Sequence, residues 1–211
     1  MKLKKILLIA VVLLITLDIY YVTRPLPLIA KGLPGVGSIV RLVDSNRTFC
    51  SGTVVNDNTI VTAGHCVIEE TPLGLALKST PIEIRAFDNV PRKTFGKVRA
   101  LSVQMDSAIL KGNFQVYEPR DIISDVKTLN EKRDTKAIYV ACGYPLDGKL
   151  YCTGVHYKNL NDFMWSVDGL LLPGMSGGPV LDENGAVIAI NHAVEREHSI
   201  VSPTYNIDKE F

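Results

Sequence analysis

Three short segments of the sequence hold the residue types that nucleophilic catalysis by a hydroxyl requires. A serine hydroxyl is a weak nucleophile at neutral pH, so it needs a base within hydrogen-bonding reach and an anion that fixes the tautomer of that base. The sequence offers His65 in Thr62–Cys66, Asp106 in Met105–Leu110 and Ser176 in Pro173–Val180. These three residues predict acyl transfer through a serine nucleophile.

The sequence context of each residue separates it from others of its type. Of the four histidines, at positions 65, 156, 192 and 198, only His65 lies between a glycine and a cysteine at the end of an apolar strand. Asp88 and Asp121 are the other candidates for the anion, but Asp106 lies just ahead of the apolar run Ala108–Leu110, with only Ser107 between them. This position predicts a buried, hydrogen-bonded carboxylate, whereas the structural alternative is an aspartate that caps a turn.

Glycines lie on both sides of Ser176. The segment could be an ordinary turn rich in glycine and proline. In the functional interpretation, the glycines let the backbone fold so that the N–H groups of Gly174 and Ser176 converge on one point. There they would bind the developing oxyanion of an acyl-transfer intermediate.

The elements that must position these residues are short, rich in Val, Ile, Thr and aromatic residues, and separated by turn residues. This pattern predicts an all-β domain of the barrel or sandwich class. No long amphipathic helix is expected after the N-terminal segment, and Ala63–Ile68 can form one helical turn. The expected strands are Ser38–Val43, Phe49–Asn56, Thr59–Thr62, Ile82–Phe87, Gly96–Val103, Ser107–Leu110, Ala137–Gly143, Lys149–Val155, Phe163–Val167, Pro179–Leu181, Ala186–Ala193 and Ile200–Ile207.

The N-terminus has the pattern of an export signal, because three lysines precede an apolar run from Ile6 to Leu17. A buried core helix is the alternative. We expect residues 1–22 to be an uncleaved signal anchor that leaves the domain outside the cytoplasm, periplasmic or extracellular, since no clear small-x-small cleavage site follows. Cleavage of a signal peptide and secretion is the second possibility. Residues 23–37 predict a Pro/Gly-rich linker, and residues 38–211 the domain, with a boundary between two halves near 112–136.

Four cysteines in an exported chain favour disulfides. A zinc site is disfavoured because the sequence has no Cys-x-x-Cys pair and no His-x-x-His spacing, and free thiols are the remaining alternative. Four cysteines allow three pairings. Cys142 and Cys152 are placed symmetrically about Asp147, in a predicted hairpin turn, so a cross-strand disulfide between them is plausible. The other two cysteines are Cys50 and Cys66.

Composition excludes two classes of protein. The chain has 211 residues, of which 46% are hydrophobic, and a net charge of +1. The apolar content is too high for a disordered chain, and 23 basic against 22 acidic residues are too balanced for a basic nucleic-acid binder. A chain of this length buries enough surface to fold without a metal, and we expect neither a metal nor a cofactor.

The Thr-Ala-Gly-His-Cys, Asp-x-Ala-x-Leu and Gly-x-Ser-Gly-Gly-Pro segments together resemble the trypsin/chymotrypsin-like serine proteases. The sequence is most similar to the compact bacterial branch that includes glutamyl endopeptidases and HtrA-type catalytic domains, from about Ser38 to Val194. The resemblance implies a double six-stranded β-barrel, a His65–Asp106–Ser176 triad and an oxyanion hole made by Gly174 and Ser176. It also implies a Cys50–Cys66 disulfide and an endopeptidase that forms an acyl-enzyme.

The sequence departs from the digestive enzymes of this family just before the nucleophile. Those enzymes carry an aspartate there, which pairs with a new N-terminus on activation. This chain has Met175 and no Ile-Val-Gly-Gly start upstream of its first strand. We therefore expect an oxyanion loop that is preformed or set by substrate.

The primary substrate pocket of the family is lined by residues before the nucleophile and by a later strand. In this sequence these residues are Leu170, Leu171, Leu172, Asn191, His192 and Ala193. The leucines predict an apolar pocket and cleavage after aliphatic or aromatic residues. His192 lies one position from the expected place of the histidine that contacts substrate carboxylates in glutamyl endopeptidases. Because side chains alternate along a strand, a position on the surface or at the pocket rim is favoured for it.

Two other functions fit parts of the pattern. Gly174-x-Ser176-x-Gly178 also matches the nucleophile elbow of α/β-hydrolases, but that fold needs a helix after the serine, and Gly-Pro follows instead. A protease-fold binding or scaffolding module without turnover is the main alternative, and the intact set of three residues argues against it. The expected partners are a protein or peptide substrate and a membrane at the N-terminus, with no nucleic acid. We expect a monomer.

Overall fold

The computed structural model describes residues 36–45, 47–85, 94–115, 117, 119–161, 164–194, 198–205 and 207. The expected leader, residues 1–22, and all but the end of the expected linker, residues 23–37, lie outside this range. Within the described residues, no helix combines the length and the apolar character that a bilayer crossing requires. The N-terminal anchor therefore stays a prediction.

The first half of the domain is a closed antiparallel barrel of six strands in the order β1-β2-β3-β8-β7-β6. A further pair, β4 and β5, forms a separate hairpin. The strands are β1 (Ile39–Asp44), β2 (Arg47–Asn56), β3 (Thr59–Ala63), β4 (Ile68–Thr71), β5 (Gly74–Leu77), β6 (Ile82–Arg85), β7 (Thr94–Ser102) and β8 (Ser107–Lys111). A 3-10 turn, Gly64–Val67, follows β3.

The second half is another closed six-stranded barrel, in the order β10-β11-β14-β13-β12-β9. The chain between the barrels contains one short helix, α1 (Val126–Glu131), whose N-terminus is capped by Asp125. The strands are β9 (Tyr139–Gly143), β10 (Tyr151–Asn161), β11 (Met164–Asp168), β12 (Pro179–Leu181), β13 (Val187–Val194) and β14 (Ser199–Pro203). The double six-stranded barrel expected from the resemblance is confirmed.

Each barrel has its own apolar core, because alternate strand residues point inward. The first core includes Leu42, Ile60 and Leu110, and the second includes Trp165 and Val201. Each predicted strand has a counterpart among the described residues, with most ends shifted by a few residues. The predicted ends at Phe87 and Phe163 lie outside the described residues. The β4–β5 hairpin and α1 were not predicted. The hairpin lacks an alternating apolar pattern, and all four residues of β5 are exposed.

The two barrels meet through hydrogen bonds made by the backbone and the side chain of Ser51, which lies in β2. Its N–H donates to the backbone oxygen of Ser176 at 2.7 Å, and its hydroxyl donates to the backbone oxygen of Gly174 at 2.9 Å. The same hydroxyl accepts from the N–H of Tyr144 at 2.7 Å. The first barrel therefore holds the serine-bearing loop of the second.

Both disulfides have the expected pairing, Cys50 with Cys66 and Cys142 with Cys152. Cys142 and Cys152 are directly opposite each other in the β9–β10 ladder, with their Cα atoms 4.1 Å apart. The Cys50–Cys66 bridge ties β2 to the turn that carries His65. Two disulfides indicate an oxidising compartment outside the cytoplasm.

Candidate active site

His65 lies in the 3-10 turn that follows β3, and Asp106 fixes it at two points. The backbone N–H of His65 donates to Asp106 Oδ1 at 2.8 Å. The ring Nδ1 lies 2.8 Å from Oδ2 of the same carboxylate. An ionised carboxylate only accepts hydrogen bonds, so the neutral ring carries its proton on Nδ1. The other ring nitrogen, Nε2, is then free to act as a base.

Asp106 lies in the turn between β7 and β8, and its backbone is in the left-handed region, with φ of 41°. Aspartate tolerates this conformation better than most residues. The backbone oxygen of Asp106 accepts from the N–H of Gly64 at 2.8 Å, beside the turn that carries His65. The anion and the base are thus positioned by adjacent parts of the first barrel.

Burial of the Asp106 carboxylate opposes its ionised form and would raise its pKa. Hydrogen bonds from His192 and His65 outweigh this effect and hold the pKa of Asp106 well below its usual value. The carboxylate is therefore ionised throughout the neutral pH range. It can stabilise a positive charge on a neighbouring imidazole.

A second imidazole, that of His192, contacts Asp106. Its Nδ1 lies against Oδ2, the same oxygen that receives His65. The centroids of the two rings are 5.5 Å apart, and the ring planes are nearly perpendicular. The sequence placed His192 at the substrate pocket and gave no sign of this contact, which joins β13 to a turn 86 residues earlier in the chain.

Ser176 is brought to the same place from the second barrel. Its hydroxyl donates to the backbone oxygen of His192 at 3.0 Å. The following residue, Gly177, has φ of +84°, and a Cβ there would come within 2.2 Å of the backbone oxygen of Ser51. Only glycine fits this close approach of the loop to the first barrel.

The loop before Ser176 presents two backbone N–H groups that donate to no other described residue, those of Gly174 and Ser176. The backbone oxygen of Pro173 accepts from the N–H of Leu146 at 3.1 Å. Because the C=O and N–H of one peptide point in opposite directions, the N–H of Gly174 points away from Leu146. Gly174 has φ of +96°, and a Cβ there would lie 2.7 Å from the backbone oxygen of Tyr144.

The residue that replaces the aspartate of digestive enzymes, Met175, is fully buried in the core of the second barrel. Its backbone oxygen accepts from the N–H of Gly178 at 3.0 Å and from the side chain of Asn191 at 3.3 Å. The N–H of Met175 donates to the backbone oxygen of Leu172 at 3.0 Å. These contacts fix the loop by packing and hydrogen bonds.

The predicted pocket residues differ in how far they are exposed to solvent. Leu170 is 58% exposed, Leu171 is buried in the core of the second barrel, and Leu172 packs against that core. Asn191 is fully buried and donates to the backbone oxygen of Cys142 at 2.8 Å. Ala193 continues β13. The role of these residues in substrate binding stays a prediction.

His65, Asp106 and His192 are also of the kinds that bind metals, and their ligand atoms lie within 4.8 Å of one another. Both rings, however, approach one carboxylate oxygen as hydrogen-bond donors. Cys50, His65 and Cys66 form a second set of residues of these kinds, but both sulfurs are in a disulfide and offer no thiolate. We identify none of these residues as a metal ligand.

Ser51, Asn191 and the ring of His192 support the site in ways that the sequence did not indicate. Each acts through a contact between segments far apart in the chain. The only indication of Ser51 in the sequence is its position next to Cys50.

Comparisons with known proteins agree with this geometry. A family model described as a trypsin-like peptidase domain matches residues 50–190. No curated protein matches the chain.

Solved structures share the fold. A serine endoprotease from Yersinia pestis is 17% identical, with a TM-score of 0.64 over 83% of this chain and 61% of that one. The Rv3671c protease from M. tuberculosis in its active form is 18% identical, with a TM-score of 0.64 over 87% and 82% of the two chains. A Glu endopeptidase is 17% identical, with a TM-score of 0.64 over 83% and 89%. The chain thus spans less than two thirds of the Yersinia enzyme, and these identities show the fold alone.

Proposed function

Since this chain belongs to the trypsin-like peptidase family and is a serine endopeptidase, we propose that His65, Asp106 and Ser176 are its catalytic triad. The hydroxyl of Ser176 attacks the carbonyl carbon of the peptide bond while His65 Nε2 takes its proton. Asp106 stabilises the imidazolium that forms. His65 then gives the proton to the leaving amine, and a water molecule, activated in the same way, hydrolyses the acyl-enzyme.

The observation that carries this proposal is the double contact between His65 and Asp106. Hydrogen bonds of 2.8 Å to the backbone N–H and to the ring Nδ1 fix both the position and the tautomer of the base. The hydroxyl of Ser176 lies on the backbone oxygen of His192. It reaches His65 by rotating about its Cα–Cβ bond when substrate binds, because catalytic hydrogen bonds often form only in the complex.

The oxyanion hole in this proposal consists of the N–H groups of Gly174 and Ser176. The hydrogen bond between Pro173 and Leu146 supports an N–H of Gly174 that already faces the nucleophile. Such preformed donors stabilise the charge of the tetrahedral intermediate without reorganisation. The loop needs no new N-terminus for activation, because Met175 holds it by burial.

For substrate preference, we propose cleavage after aliphatic or aromatic residues. Leu170 supplies an exposed apolar side chain before the nucleophile. We also propose that the domain is exported and held at a membrane by residues 1–22, which agrees with the oxidised state of all four cysteines.

A fluorophosphonate probe tests the nucleophile directly. We expect the full-length chain to be labelled at neutral pH, and Ser176→Ala to lose all labelling because it removes the proposed nucleophile. Ser45→Ala, an exposed serine of the first barrel, is the matched control and keeps full labelling. A folded, disulfide-bonded parent that does not react would favour the binding module without turnover.

Substrate preference is tested by digestion of a peptide library. We expect cleavage after Leu, Met or Phe by the parent, and no cleavage by Ser176→Ala. Cleavage confined to sites after Glu would contradict the apolar pocket.

A further inference from the structure

The carboxylate of Asp106 serves two imidazole rings. Oδ1 accepts only from the backbone N–H of His65, whereas Oδ2 receives Nδ1 of His65 and Nδ1 of His192. Both rings must present an N–H to the carboxylate, so both carry a proton on Nδ1 when neutral. Asp106, the anion of the proposed triad, therefore binds both rings in the same way, through Nδ1 of each ring.

A β-bulge brings His192 to this position. In the pairing of β13 with β14, Asn191 is opposite Val201 and Ala193 is opposite Ile200, which leaves His192 as the extra residue. A bulge interrupts the alternation of side chains and re-aims the residue that it contains. The side chain of Asn191 can then bind the serine loop while that of His192 reaches the first barrel.

His192 also contacts the nucleophile through its backbone. Its carbonyl oxygen accepts from the hydroxyl of Ser176 at 3.0 Å, while its ring packs against the ring of His65. One residue of β13 thus contacts all three members of the proposed triad. His192 can therefore influence the reaction through these contacts, without contacting the substrate.

The described titratable groups that face His192 are Asp106, from the turn before β8, and His65, from the turn after β3. One carboxylate can neutralise one imidazolium. A proton on His192 therefore opposes the positive charge that His65 acquires when it takes the proton of Ser176, because like charges repel at this distance.

We propose that His192 is a positioning residue that shares Asp106 with His65, so that a His–Asp–His cluster sets the strength of the catalytic base. This inference rests on the proposed function. Its consequence is a loss of activity at acid pH that follows two coupled ionisations. An enzyme with one ring on its carboxylate loses activity through a single ionisation. The pKa of Asp106 agrees, since both rings contribute to lowering it.

The rate of labelling by the fluorophosphonate probe, measured from pH 5 to 9 with EDTA present, tests the cluster without a known substrate. His192→Asn places an amide N–H where Nδ1 lies and cannot titrate. We expect the parent rate to fall on the acid side more steeply than one ionisation allows. The His192→Asn rate should fall through one ionisation, at lower pH than in the parent.

His192→Ala removes the donor altogether. Hydrogen bonds to charged groups contribute about 1.5–3 kcal/mol, so we expect the labelling rate at pH 8 to fall at least tenfold, with part of it restored in His192→Asn. The matched control is His156→Asn. His156 forms a similar pair with Asp168, Nδ1 to Oδ1 at 2.9 Å, in the β10–β11 ladder outside the site. Its profile should equal that of the parent.

Proton NMR with labelled histidine gives a readout that does not depend on activity. We expect two downfield Nδ1–H signals from rings bonded to Asp106, both of which persist in His156→Asn, whereas His192→Asn keeps only one of them. A single signal in the parent, or superimposable profiles of the parent and His192→Asn, would overturn the proposal. A parent with two signals but no labelling would keep the cluster and reject the proposed peptidase mechanism.

Discussion

At the scale of single residues, Asp106 places a negative charge in a buried part of the site. Its carboxylate is mostly buried, with 14% of the side chain exposed, yet three N–H donors keep it ionised. Hydrogen bonds to an ion are worth more than those between neutral groups. The cost of burying the charge is offset only while the donors stay in place, so Asp106 links stability to catalysis.

We predict that Asp106→Asn lowers the probe-labelling rate by about 10³–10⁴-fold at pH 8, because the amide favours the wrong tautomer of His65. Asparagine also tolerates the left-handed backbone at this position, so the variant should fold. A loss of less than tenfold would show that Asp106 does not orient the base.

The same variant tests the lowered pKa of Asp106. A carboxylate whose pKa is lowered by folding stabilises the protein above its unfolded value of about 3.9, and this contribution disappears as pH falls towards the folded-state pKa. We expect Asp106→Asn to reduce the free energy of unfolding by about 1–3 kcal/mol at pH 7. Urea denaturation should show this difference shrinking below about pH 4. A difference that is constant from pH 7 to pH 3 would contradict the assigned pKa.

At the scale of elements, the loop from Pro173 to Gly178 is fixed from both sides. Leu146 holds the Pro173 carbonyl, and Asn191 binds the loop by its backbone oxygen and its side chain. The loop depends on backbone conformations that other residues rarely adopt, as the φ of Gly174 and Gly177 shows. The proposed oxyanion hole therefore depends on the backbone conformation of the loop, which glycine at position 174 permits.

We predict that Gly174→Ala lowers kcat by about 10²–10³-fold with little change in KM, because a Cβ would collide with the backbone oxygen of Tyr144 and displace an oxyanion donor. Gly74→Ala is the matched control. Gly74 also has positive φ, at +115°, but nothing lies within 4 Å of a Cβ there. Peptide hydrolysis kinetics should separate the two variants, and equal losses would show that backbone strain alone is responsible.

The sequence predicted these elements where the signal is local. His65 and Ser176 were identified from their neighbours, and the strands from their composition. α1 was missed although Asp125 and Thr128 form its cap, since a helix of six residues leaves little periodicity. The contact of His192 with Asp106 depends on a bulge and on the docking of two barrels. A contact between residues this far apart in the chain cannot be predicted from the local sequence around either residue.

At the scale of the whole molecule, the candidate active site lies between two barrels. His65 and Asp106 come from the first barrel, and Ser176 and His192 come from the second. Ser51 joins them, since its buried hydroxyl is both donor and acceptor between the barrels. In the proposed mechanism, a displacement of about 1 Å between the halves would separate Ser176 from His65, which is enough to reduce catalysis strongly.

We predict that Ser51→Ala lowers stability by about 1–3 kcal/mol, because it leaves the N–H of Tyr144 and the oxygen of Gly174 without a partner. It should also lower kcat at least tenfold. Thr204→Val, which removes a buried hydroxyl bonded to Ile188 within the second half of the chain, is the control that should lose stability and keep kcat. Urea denaturation and peptide kinetics measure both. If the two variants lose kcat equally, the contact at Ser51 has no special role.

The division of the site between two closed barrels has a consequence for assembly. A cut in the chain between Lys111 and Tyr139 would leave two fragments, each with the six strands of one barrel and neither with both Ser176 and His65, the proposed nucleophile and base. Fragments that found each other would recover the reaction, and those that did not would be inert. The rate of turnover by such a split chain would be proportional to the concentration of paired fragments, so it would fall with dilution.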